Sequence, residues 1–198
     1  MTAARVTRHA LLALCGILLS VPAAQPAPTD PAYGQLLALL AARRDGHVAF
    51  SEVQHLAMLE RPLESSGELF YQAPDRLEKR TLQPRPETLL LDHGVLTARR
   101  GQRTHVLSLR DYPQVIPFVE SIRATLAGDG AALERYFDVR FAGTLEHWTL
   151  ELVPAEATVA RRVQLIRIAG ERDSIRTVEI RQTDGDASVL TLSPVSSP

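Results

Sequence analysis

His47, His55, His93, His105 and His147 are the side chains best suited to hold a metal or move a proton near neutral pH. Their spacing supports neither task, because no HExxH or comparable ligand pair occurs. Glu52 and His55 stand three apart, which on a strand turns them to opposite sides. No GxSxG elbow presents a serine nucleophile, and no glycine-rich loop cradles a phosphate. The single cysteine, Cys15, lies in an apolar run near the N-terminus, so neither a disulfide scaffold nor a cysteine zinc cluster is available. Asp184-Gly185-Asp186 reads as a turn. These residues carry no catalytic, metal or cofactor motif, and the chain reads as a non-enzymatic protein.

The arginines Arg76, Arg80, Arg99, Arg100, Arg103, Arg161, Arg162 and Arg181 are interleaved with acids such as Glu78 and Glu179. That mixture reads as a solvated sheet face, with a basic rim toward anionic lipid headgroups as the alternative. Lys and Arg total 22 against 23 Asp and Glu, a net charge of −1. This balance argues against nucleic acid as a partner. A hydrophobic fraction of 45% over 198 residues suits one globular domain and is too high for a disordered chain.

Residues 1–24 read as a secretory signal peptide. Arg5 and Arg8 form the basic start, and Ala10 to Val21 the apolar stretch. That stretch falls short of the roughly 20 apolar residues of a membrane-spanning helix. Small residues for cleavage follow at Ala23 and Ala24, and Cys15 is too early and too poorly flanked to be a lipidation site. Removal of this segment takes Arg5 and Arg8 but no acid, so the net charge falls from −1 to −3. An exported chain without cysteine suits an oxidising periplasm. Residues 25–30 form a proline-rich leader and 193–198 a tail, leaving one domain over 31–192.

The remaining residues must be placed by their elements. Thr29 or Asp30 caps a helix with Pro31 in its first turn, carrying Tyr33, Leu36, Leu37, Leu39 and Leu40 as far as Arg43-Arg44. From His47 to Leu59 the period becomes two, a long strand with Val48, Phe50, Glu52, Gln54, Leu56 and Met58 on one side. Short strands follow over 68–72, 76–82, 88–91, 95–99 and 104–109, with hairpin turns at Asp92-His93-Gly94 and Arg100-Gly101-Gln102. Helical spacing returns over 111–127, broken early by Pro113 and Pro117, and a short helix follows over 129–136. Strands resume over 137–141, 145–153, 163–168, 174–182 and 188–192. The order lacks βαβ alternation and any internal repeat, which predicts an α+β fold: one curved antiparallel sheet with helices on one face. Such a sheet and cover form either a closed core or a cleft.

Three runs in order resemble the LolA family of periplasmic outer-membrane lipoprotein carriers. They are Phe50-Ser51-Glu52, then Gly67-Glu68-Leu69-Phe70-Tyr71-Gln72-Ala73-Pro74-Asp75-Arg76-Leu77, then Leu89 through Leu96 around Asp92-His93-Gly94. The resemblance implies an incomplete antiparallel β-barrel with helices forming a lid over its concave face, and acyl chains held between them with no bond made or broken. It implies an acylated cargo, lipoprotein or glycolipid, and an inner-membrane exporter and an outer-membrane acceptor as partners, with the carrier itself a monomer. Phe50, Leu69, Tyr71, Leu89, Leu91, Trp148 and Leu150 on the strands, with Ile116 and Val119 on the lid, are the cavity candidates. Three positions depart from the family. The lid-latching arginine before the proline is Ala73, the glutamine of the first strand is Glu52, and the family carries a further strand and loop beyond the position of Pro198. The rival readings are an envelope adaptor with a closed core, a hydrolase of lipid-linked intermediates and an outer-membrane acceptor lipoprotein.

Overall fold

The computed structural model describes residues 30–113 and 115–195. The signal peptide, most of the leader and the last three residues of the tail lie outside them.

Helix α1 (Pro31–Ala41) starts where Asp30 Oδ1 accepts from Ala32 N–H at 2.9 Å, and buries Tyr33, Leu36 and Leu40 along one stripe. It stops two residues before Arg43. The strands are β1 (Asp45–His55), β2 (Leu63–Gln72), β3 (Arg76–Gln83), β4 (Glu87–Asp92), β5 (Val95–Arg100) and β6 (Arg103–Ser108). Helices α2 (Ile116–Ala127) and α3 (Gly130–Tyr136) follow, then β7 (Phe137–Gly143), β8 (Trp148–Pro154), the short α4 (Ala157–Ala160), β9 (Val163–Glu171), β10 (Ser174–Gln182) and β11 (Ala187–Pro194).

All eleven strands form one antiparallel sheet in the order β6-β5-β4-β3-β2-β1-β11-β10-β9-β8-β7, open at both edges. The α+β class and the curved, incomplete barrel are as the resemblance implies. Two meanders meet where β1 pairs with β11. β6 and β7 are the opposite edges, so the chain between them must cross the whole sheet, and α2 and α3 are that crossing. The hairpin at Asp92-His93-Gly94 takes positive φ at His93 (49°) and Gly94 (75°), the pair that a two-residue turn requires.

The alternating pattern overextends β1 at its end. Beyond His55 the chain turns, with Leu59 N–H donating to Leu56 carbonyl at 2.8 Å, and Met58 is 86% exposed. Asp186 accounts for this departure: its Oδ1 accepts from Ala57 N–H at 2.8 Å and draws the chain out of the ladder. Asp184 accepts from Asp186 N–H at 3.1 Å, so the Asp-Gly-Asp run is a turn that fixes its neighbour. Pro113 lies outside α2, and Pro117 occupies its first turn, where a missing N–H costs nothing. α4 has too few residues to show a helical period.

The closed core occupies one half of the concave face. Trp148, Leu150 and Leu152 of β8, Ile166 and Ile168 of β9 and Val178 of β10 pack beneath Tyr33, Leu36, Leu40, Ala124 and Leu133 of the three helices. Trp148 Nε1–H donates to Arg172 carbonyl at 2.9 Å. Within α2, Thr125 Oγ1–H donates to Ser121 carbonyl at 2.6 Å, satisfying a buried hydroxyl. No helix among the described residues is long and apolar enough to cross a membrane.

Candidate binding cavity

Cross-strand register explains why the other half of the face is hollow. One row runs Leu150, Ile168, Val178, Leu190, Glu52, Ser65 across β8, β9, β10, β11, β1 and β2. The row begins at a fully buried Leu150 under the helices and ends at the hydrogen-bonded pair Glu52 and Ser65. From Val178 onward the row borders a cavity of about 590 Å³ that extends past it to β5, a volume typical of small-molecule sites. Its floor is Val48, Leu69, Tyr71, Leu77, Leu89, Leu91 and Leu96 from β1 to β5, and Val178, Ile180, Leu190 and Leu192 from β10 and β11. Its roof is Phe118, Val119, Ile122 and Leu126, one stripe of α2.

Of the candidates read from the sequence, Leu69, Tyr71, Leu89, Leu91 and Val119 line this cavity. Four do not. Trp148 and Leu150 share the face but lie in the solid core, 2% and 0% exposed. Ile116 begins α2, two residues before the lining stripe starts at Phe118. Phe50 faces the same way as Val48 and Glu52 but is covered by Lys79, whose Nζ lies 4.8 Å from its ring centroid. The parity of β3 and β5 reaches Leu77 and Leu96, and the i, i+4 spacing of Phe118 and Ile122 reaches the rest of the roof. The β11 residues become neighbours of β1 only through a pairing that short-range pattern does not reveal.

The lining also includes Arg43, His47, Asp173, Ser174 and Arg176, and two polar features sit among the apolar floor residues. Lys79 Nζ donates to Glu52 Oε2 at 2.6 Å, and Ser65 Oγ–H donates to the same oxygen at 3.1 Å. Burial works to raise the Glu52 carboxyl, but the hydrogen bonds and charge of Lys79, with Gln54 and Ser65, outweigh it and hold it below its ordinary value. Gly67 makes the crossing possible: a Cβ there would overlap the Arg80 carbonyl oxygen of the adjacent, irregular β3. The second feature is Tyr71, whose hydroxyl is buried without a hydrogen-bond partner among the described residues. Burial pushes its phenol upward against the opposing pull of Arg123 and Arg44. In the core, burial, reinforced by Glu134, pushes Tyr33 up to about 12.

At the open rim, Arg43 Nη1 donates to Ser174 Oγ at 3.0 Å and lies 3.6 Å from Asp173 Oδ2, joining the end of α1 to the β9–β10 turn. On the convex side, Arg80 pairs with Glu78 and Arg181 with Glu179, as a solvated face requires, while Arg100 pairs with Glu87 on the concave side at the exposed end of β4 and β5. Asp75, Asp92 and His93 bring potential metal-ligand atoms within 4.8 Å of one another. Asp92 already engages Arg76 at 2.9 Å and His93 at 2.7 Å, and the hydrogen bond to Asp92, with the Asp75 charge nearby, raises His93 above its ordinary value.

The family described as outer membrane lipoprotein carrier protein LolA-like matches residues 23–196. The chain belongs to this family. No curated protein matches the sequence. A LolA superfamily protein from Nitrosomonas europaea is 13% identical, over 84% of this chain and 95% of its own, with a TM-score of 0.40. Lipoprotein LppX of Mycobacterium tuberculosis is 11% identical, over 86% of this chain and 100% of its own, with a TM-score of 0.43. A chain of the Pseudomonas aeruginosa MucA/MucB complex is 13% identical, over 84% of this chain and 58% of its own, with a TM-score of 0.47.

Ala73 cannot form an ion pair, and Arg76 turns to Asp92 on the neighbouring strand. Arg43, two residues past the end of α1, ties that end of the helix to Ser174 and Asp173 at the sheet rim.

Proposed function

We propose that this LolA-like protein is a periplasmic carrier. It binds the acyl chains of a lipoprotein or another lipid between sheet and helical lid, and ferries them toward the outer membrane. Residues 1–24 direct export and are removed, and residues 31–192 act as one domain. An inner-membrane exporter loads the carrier, which works as a monomer, and an outer-membrane acceptor unloads it. No bond is made or broken in the cycle.

The observation that carries this reading is the apolar cavity of about 590 Å³ between α2 and β1–β5. Burial of a methylene is worth about 0.8 kcal/mol, so a sheltered chain of about a dozen methylenes contributes about 10 kcal/mol against the cost of association and ordering. The ligand then leaves only when an acceptor offers an equal apolar environment or α2 moves away. Leu69, Tyr71, Leu89, Leu91 and Val119 form the chain-binding surface in this reading.

Native mass spectrometry of the mature protein from its own periplasm tests it. A reproducible added mass that resolves to an acylated species on denaturation is the expected result. Bare protein that also fails to take up a fluorescent fatty acid would overturn the carrier reading in favour of an envelope adaptor.

A further inference from the structure

The Glu52–Lys79 pair is an unusual wall for a hydrocarbon site. Side-chain exposure is 11% for Glu52 and 25% for Lys79, so both charges are largely withdrawn from bulk water while lining the cavity. Removing an ion pair from water is costly, and an apolar pair of the same volume fills such a place at equal or lower free energy. The pair therefore has to be explained by something other than packing.

Its hydrogen-bond inventory is uneven. Glu52 is well supplied, accepting from Lys79 and Ser65. Lys79 carries three N–H groups. Among the described residues one donates to Glu52, and the ammonium lies over the Phe50 ring at 4.8 Å. At least one N–H is left directed at neither acceptor nor ring. Glu52 has already neutralised the ammonium, so a second carboxylate brought there meets Glu52 as a like charge. A neutral oxygen meets no such penalty.

We propose that Glu52 and Lys79 determine the cavity's specificity for neutral acyl esters or amides, with Lys79 Nζ–H donating to the ligand carbonyl oxygen while its chain lies along Leu69 and Leu89. This inference rests on the acyl-chain reading above and narrows it to acyl groups whose carboxyl is esterified or amidated, against free fatty acids. Phe50 and Ser65 are positioning residues: one supports the ammonium from below, the other holds the carboxylate.

Displacement of an environment-sensitive fluorophore by methyl laurate, laurate and dodecane at neutral pH tests it. Wild-type protein is expected to bind methyl laurate more tightly than laurate. The double variant Glu52→Leu with Lys79→Met leaves no unpaired charge, and in it the ratio of ester to dodecane affinity falls about tenfold, the size of one hydrogen bond to a charged donor. Glu52→Gln alone frees the ammonium charge and shifts preference about tenfold toward laurate. An ester-to-dodecane ratio unchanged in the double variant, or a laurate preference in the wild type, would overturn this inference while leaving chain binding intact. Wild-type protein that binds none of the three probes overturns the acyl-chain reading itself.

Discussion

Lys79 lies across Phe50, its ammonium 4.8 Å from the ring centroid, and this overlap hides an aromatic ring that strand parity assigns to the cavity. The ring, the ammonium and the Glu52 carboxylate form a stack in which each member holds the next. Its weakest link is a proton.

Glu52 is held below its ordinary value of 4.5, so its charged form is favoured by folding. Its contribution to stability is complete above the unfolded value and is lost as pH falls through the folded one. Denaturant midpoints of wild type and Glu52→Gln should differ by a constant amount above about pH 5.5 and converge below it. A difference that grows on acidification contradicts the assignment.

Val119 lines the roof and Ile116 does not. Val119→Asp places a charge against hydrocarbon and should weaken an apolar probe about tenfold or more. Ile116→Asp should leave the affinity within about twofold, a change below 0.5 kcal/mol. Equal losses in both would move the roof of the cavity to the start of α2.

Leu150 and Leu69 lie on the same concave face with opposite surroundings. Leu150→Ala should cost about 2–5 kcal/mol of stability, as a fully buried leucine does, and leave probe affinity unchanged. Leu69→Ala should weaken binding at a stability cost of about 1 kcal/mol or less, since its side chain already borders a void. Chemical denaturation and probe titration on the two proteins separate the outcomes.

Tyr71 carries a buried hydroxyl with no partner among the described residues. Tyr71→Phe removes that group and should stabilise the protein by about 1 kcal/mol, the lower end of the penalty for an unsatisfied buried donor. Thermal unfolding of the variant reads the sign directly.

Local pattern was enough for the existence and order of the strands and for the side on which each residue falls, though it ran β1 past His55 and began β2 five residues late. Leu69, Tyr71, Leu89 and Leu91 alternate, and alternation is a property of neighbours in sequence. What pattern cannot convey is which half of a face a helix will cover. Trp148 and Leu150 obey the same alternation as Leu69, and only the packing of α1 and α3 on β7–β9 separates them. Phe50 was lost to a residue 29 positions away, through a β1–β2–β3 alignment that brings Lys79 across Gly67. The Asp186 contact that ends β1 is likewise a long-range event.

The row from Leu150 to Ser65 is solid at one end and hollow at the other. Folding draws mainly on the first end, and shape discrimination on the second. Substitutions in the hollow thus change what fits there at little cost to folding, whereas large-to-small substitutions in the solid core cost about 2–5 kcal/mol each. A lineage built on this sheet can diverge in taste long before it diverges in architecture.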